Sequence, residues 1–86
     1  MFDKMPPEML EKTQKIIEEY IGPFLAEIIT KKALSKANIS VEALTISALE
    51  GVIDKHIVPA LMPLLSKEKV QECRRRIVVE LRREQT

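Results

Sequence analysis

Tryptophan is absent from this sequence, and the aromatic complement is confined to Phe2, Tyr20 and Phe24. A core without large rings must be filled by Leu, Ile, Val, Met and Ala, a composition suited to helix packing, where branched side chains interlock as ridges and grooves. The single cysteine, Cys73, has no intrachain partner for a disulfide. With His56 as the one histidine, a Cys/His zinc site is short of ligands. Two glycines leave no material for a glycine-rich phosphate loop. Neither charge sign dominates: 14 Lys and Arg face 13 Asp and Glu, for a net charge of +1. That balance supplies no long-range steering toward nucleic acid or an anionic membrane. Long apolar runs are missing too. The most apolar window, 57–65, is broken by Pro59 and Pro63, whereas a membrane span needs about 20 apolar residues. The opening Met1-Phe2-Asp3-Lys4 carries an acid and leads into no apolar stretch, so no signal peptide is expected.

What is present is 45% hydrophobic and 31% charged residues over 86 positions, a globular balance with room for one domain, 1–86. A domain this short buries a modest share of its chain surface. Disulfides and metals being excluded, oligomerisation or docking on another protein is the remaining way to reinforce the core. The free thiol fits a reducing, cytoplasmic setting.

Apolar periodicity reads as all-α, a small bundle of about four helices. The first opens at Met5-Pro6-Pro7-Glu8, where proline's missing N–H costs nothing. Its stripe steps by three and four through Leu10, Thr13, Ile17, Tyr20, Phe24 and Ile28. Gly22-Pro23 interrupts that stripe without shifting its phase, so the first pair of helices is expected to be joined or kinked there, with a sharp kink favoured over a long loop and a full break, Pro23 in the first turn of a new helix, as the alternative. The second helix should run from Pro23 to about Ala37 and end at the turn Asn38-Ile39-Ser40. Ser40 is a candidate cap with Glu42 in the following turn, and Thr45 a second point at which the helix can restart. The third helix pairs apolar residues near every fourth position, from Leu44 through Leu49, Ile53, Ile57 and Leu61 to Leu65. A face that broad belongs to a central helix or to one that a partner also covers. Pro59 and Pro63 should bend it near 55–58. Ser66 reads as the cap of a last helix, Lys67 to about Arg83, with Val70, Cys73, Ile77 and Leu81 on one stripe.

The run Tyr20-Ile21-Gly22-Pro23-Phe24, followed by Ile28, Ile29, Lys31, Lys32 and Ala33, resembles the small helical domain found at the C-terminal ends of some bacterial serine/threonine kinases, response regulators and roadblock-type signalling proteins. The likeness covers roughly residues 10–37. Leu25 departs from it, being large where that family tends to have a small residue, and Cys73 or Ile77 stands where it tends to have phenylalanine. The resemblance implies an accessory domain in signalling, without catalytic residues. Gly-Pro also marks helix corners in general, a reading compatible with the same fold.

Other motifs yield blander readings. Arg74-Arg75-Arg76 and Arg82-Arg83 suggest nucleic acid. On a helix, however, consecutive residues point about 100° apart, glutamates are interleaved, and no aromatic is near to stack on bases. A solvated helix face is expected. His56 lies on an apolar face, where neither Glu50 nor Asp54 is placed to make it a general base. Cys73 reads as a small buried apolar residue, and Glu8, Glu11, Glu18 and Glu19 as solvated helix faces.

The resulting expectation is a non-catalytic module for protein–protein interaction, an adaptor or oligomerisation unit, working through apolar helix faces. Candidate interface residues are Tyr20, Phe24 and Ile28 on one stripe and Leu49, Ile53, Ile57, Leu61, Met62 and Leu64 on another. Gly22, Pro23, Pro59 and Pro63 set the bends. The expected partner is another protein or a second copy, as homodimer or higher. No catalytic residue, metal, cofactor or small-molecule substrate is indicated. A small histone-like nucleic-acid binder is the alternative.

Overall fold

Proline and glycine punctuate this chain, and the architecture follows from where they fall. The computed structural model describes residues 7–40 and 44–85. Helix α1 spans Pro7–Ile21, α2 Pro23–Ala37 and α3 Ile46–Val52; a π-helical turn covers Ile53–Ile57, and α4 Val58–Leu61 and α5 Lys67–Gln85 follow. Because α3, the π turn and α4 are contiguous, the fold is an all-α bundle of four rods. The Met5-Pro6 start, the Glu42 position and the interval 41–43 lie outside the described residues. A radius of gyration of 12.0 Å matches the roughly 12 Å of a close-packed chain of this length.

Gly22 makes a full break between α1 and α2, the second of the two expected arrangements and not the favoured kink. Its φ of 88° and ψ of 160° belong to a region essentially reserved for glycine, which no helix can pass through. The Gly22 amide closes the last turn of α1 on the Glu18 carbonyl at 2.8 Å. Its own carbonyl then accepts from the Ala26 amide at 3.1 Å to open α2, with Pro23 at the first helical position. The break resets the apolar phase. On α1 the buried residues are Met9, Thr13, Ile16 and Ile17; on α2 they are Ala26, Ile29, Thr30, Ala33 and Leu34. Phe24 and Ile28, expected to continue the α1 stripe, therefore face outward.

The remaining ends use ordinary capping. Asn38 closes α2 in the left-handed conformation (φ 58°), and the Ile39 amide reaches back to the Leu34 carbonyl at 3.2 Å. The Thr45 hydroxyl accepts from the Ala48 amide at 3.1 Å, which fixes the start of α3 at the later of the two expected points. The Ser66 hydroxyl accepts from the Lys69 amide at 3.3 Å at the start of α5, as expected.

Pro59 bends the third rod less sharply than a break would. Its ring excludes the carbonyl four residues back. The helix responds by widening to a π turn, in which the Val58 amide bonds the Ile53 carbonyl, and α4 continues beyond the proline. Pro63 falls in the turn that ends this rod, where the Leu64 and Leu65 amides both donate to the Leu61 carbonyl at 2.9 Å.

One core joins all four rods. Leu44, Leu49, Val52, Ile53, Ile57 and Leu61 supply its centre, met by Val70, Cys73, Ile77 and Leu81 from α5 and by the buried faces of α1 and α2. The broad face of the third rod is thus consumed inside the molecule. Truncating one of its leucines to alanine would cost on the order of 2–5 kcal/mol.

Candidate interaction surface

The break at Gly22 leaves apolar side chains without cover at one end of the bundle. Phe24 is 73% exposed, and Leu25 and Ile28 project beside it from the first turns of α2. From the turn after α4, Met62 is 58% and Leu64 47% exposed. Tyr20, at the end of α1, lines one shallow cleft together with Leu65, which sets the 62–65 turn beside the corner that leads into Phe24. Phe24, Leu25 and Ile28 thus form one exposed apolar group, and Met62 and Leu64 a second. Apolar groups gathered on a surface in this way mark contact sites more often than isolated exposed leucines do.

The expected interface residues divide. Phe24, Ile28, Met62 and Leu64 stand exposed. Leu49, Ile53, Ile57 and Leu61 do not: each is at most 1% exposed, packed in the chain's own core, and none is available to a partner. Breadth of apolar face measured their central position in the fold. Tyr20 is half-buried and engaged within the chain. Leu25 belongs with the exposed group, and the signal for it was present in the sequence. A glycine before a proline permits a phase reset, and counting α2 from Pro23 alone puts Phe24, Leu25 and Ile28 off the Ala26–Ala33 face.

Beside this end, α5 is tied to the other rods through the residues that suggested nucleic acid. The Arg76 guanidinium donates to both Glu19 carboxylate oxygens at 3.0 Å and to the Tyr20 hydroxyl at 3.4 Å, and lies 5.7 Å from the Tyr20 ring centre. The Tyr20 hydroxyl in turn donates to Glu72 at 2.7 Å. Arg74 makes a second two-pronged contact, to Asp54 of the π turn at 2.6 and 3.3 Å. Arg76's hydrogen bonds hold Glu19 below the ordinary carboxylate range, Arg74 does the same for Asp54, and the Tyr20 hydroxyl, with Lys69 nearby, does so for Glu72. Desolvation raises the Tyr20 phenol. These arginines position α5 and are not a free cationic stripe.

Cys73 is fully buried, and desolvation pushes its thiol up to about 11, with the Arg76 charge opposing only in part. A thiol so protonated is a poor nucleophile at neutral pH. Among the described residues, no three His, Cys, Asp or Glu side chains converge as a metal site, and no helix is long and apolar enough to cross a membrane. Comparison of the chain with protein-family models, with curated proteins and with solved structures finds no match.

Proposed function

We propose that this chain is a non-catalytic protein–protein interaction module whose contact surface is the apolar end formed by Phe24, Leu25, Ile28, Met62 and Leu64. The observation that carries the reading is the 73% exposure of Phe24, which, unlike Tyr20, does not pack against the core, together with the exposure of four other apolar residues. In the isolated chain a second copy is the available cover, and two such ends meeting about a twofold axis would bury each in the other. The resemblance around Gly22-Pro23 supports the same reading and suggests a cytoplasmic signalling role. The nucleic-acid alternative is weakened because Arg74 and Arg76 are spent on Asp54 and Glu19.

Concentration-dependent amide chemical shifts test this. Dilution should move the resonances of 24–28 and 62–64 most and leave Leu49, Ile53 and Ile57 still. Shifts spread evenly over the surface, or absent altogether, would refute the assignment.

A further inference from the structure

A second surface, on the side where α1 and α5 meet, has a different character. Between α1 and α5 runs an open groove of about 510 Å³, floored by Ile16 and by Val79, which is 50% exposed. Lys12 and Lys15 line it from α1, and Arg75 and Arg76 from α5, with Glu80 the one acid among the lining residues. These charges differ in how far they are committed. Glu80 is held by Arg83 at 3.2 Å, and Arg76 by Glu19 at 3.0 Å. Lys15 meets Glu11 only at 3.7 Å, between two side chains that are both well exposed, a pairing worth little. Arg75 makes no close ion pair among the described residues, only a weaker charge attraction to Glu72, and Arg82, seven positions on, shares its helix face. A partly paired cationic rim thus flanks an apolar floor, and the lining on α5, from Arg75 to Glu80, is roughly 7.5 Å long at 1.5 Å per residue. That length seats one or two side chains of an incoming helix, not an acyl chain lying full length.

We propose that this groove takes an acidic amphipathic helix of a partner protein, one or two of its apolar side chains resting on Ile16 and Val79 while flanking carboxylates meet Lys15 and Arg75. The proposal rests on the reading of the chain as an interaction module, and it adds the partner's chemistry. Charge complementarity selects the acid: a basic helix would set like charges against Arg75 and Lys15. The apolar floor selects an amphipathic helix over a phosphate backbone, which would have nothing to place on Val79.

Amide shift mapping on the full labelled chain tests it. The probes are a short synthetic Leu/Glu amphipathic helix, its Leu/Lys counterpart, a single-stranded oligodeoxynucleotide, and phosphatidylglycerol vesicles. The Leu/Glu helix should shift resonances at Lys12, Lys15, Ile16, Arg75 and Val79. It should bind about tenfold more tightly than the Leu/Lys helix, and more weakly as ionic strength rises from about 0.05 to about 0.5 M. The exposed double substitution Lys15→Glu with Arg75→Glu should reverse that preference, and Val79→Ser should weaken both helices, each with the helical spectrum unchanged. Equal binding of the two helices, shifts elsewhere, or binding of the oligonucleotide or vesicles alone would overturn the proposal. A Phe24→Asp chain separates the two surfaces: it should lose self-association and keep the Leu/Glu helix. Self-association without helix binding would sink the groove and leave the apolar end standing; the converse would do the reverse.

Discussion

Gly22 and Gly51 show how differently the same residue type is used. Beyond the adjoining backbone, neither has an atom within 4 Å of where a Cβ would stand, so space does not distinguish them. Backbone does. Gly22 holds φ at 88°, and Gly22→Ala should cost about 1–3 kcal/mol, because an L side chain is strained there whatever its surroundings. Gly51 lies within α3, and Gly51→Ala should stabilise by roughly 0.5–1 kcal/mol by reducing the freedom of the unfolded chain. Urea unfolding of the two variants gives both values, and equal effects would contradict the account of the corner. Cys73 permits a second check at this scale. Its folded thiol titrates near 11 against an ordinary 9.0, so the folded state carries about 100-fold less thiolate at pH 8, each unit being tenfold. Disulfide-exchange reagents should therefore label native protein slowly and urea-unfolded protein fast. The raised value also fixes a sign: the stability that goes with a protonated thiol is complete below pH 9 and is lost as pH rises from 9 toward 11. Rapid labelling of folded protein would place Cys73 at the surface.

At the scale of elements, the ties between α5 and its neighbours make acid sensitivity a readable property. Glu19, Asp54 and Glu72 titrate below their ordinary values of 4.5, 3.8 and 4.5 when folded. Their contributions are complete above those ordinary values and fall away as pH drops through the lower folded ones. Stability should decline below about pH 4.5, and the decline should be shallower in Arg76→Ala, which removes Glu19's partner. At pH 7, Arg76→Ala should lower the thermal midpoint clearly more than Arg75→Ala, since Arg76 makes hydrogen bonds to Glu19 and Tyr20 whereas Arg75 adds only a weaker charge attraction to Glu72. Equal midpoints for the two would mean that the Glu19–Arg76–Tyr20–Glu72 cluster does not anchor α5. Sequence reasoning could not foresee these ties. Glu19 and Arg76 are 57 positions apart, and helical periodicity relates only near neighbours. The helix ends were legible, because Pro23, Asn38, Thr45 and Ser66 announce themselves through local backbone chemistry. The π turn at Ile53–Ile57 was legible only as a bend, since a proline forces a departure from the α-ladder without specifying its form.

For the molecule as a whole, the same limit governs which apolar residues are core and which are surface. Periodicity identified the stripes on α1, the third rod and α5 that fill the core, yet placed Leu49, Ile53, Ile57 and Leu61 at an interface because their stripe looked too broad for so short a chain. Four rods wrapped about one centre consume that breadth. The true surplus arose where the phase reset at Gly22, a tertiary consequence of one backbone conformation, and where Pro63 ends the third rod with Met62 and Leu64 outside. The groove between α1 and α5 was out of reach of the sequence, since it needs the relative placement of two helices far apart in the chain. The apolar surface exposed by these two features of the backbone is the centre of the proposed function. Its mass in solution is the most direct test. Size-exclusion chromatography with light scattering should give about twice 9.8 kDa for the chain, and 9.8 kDa for Phe24→Asp with Met62→Asp at unchanged helicity. A 9.8 kDa species for the unaltered chain at high concentration, or a dimer undisturbed by both substitutions, would contradict it.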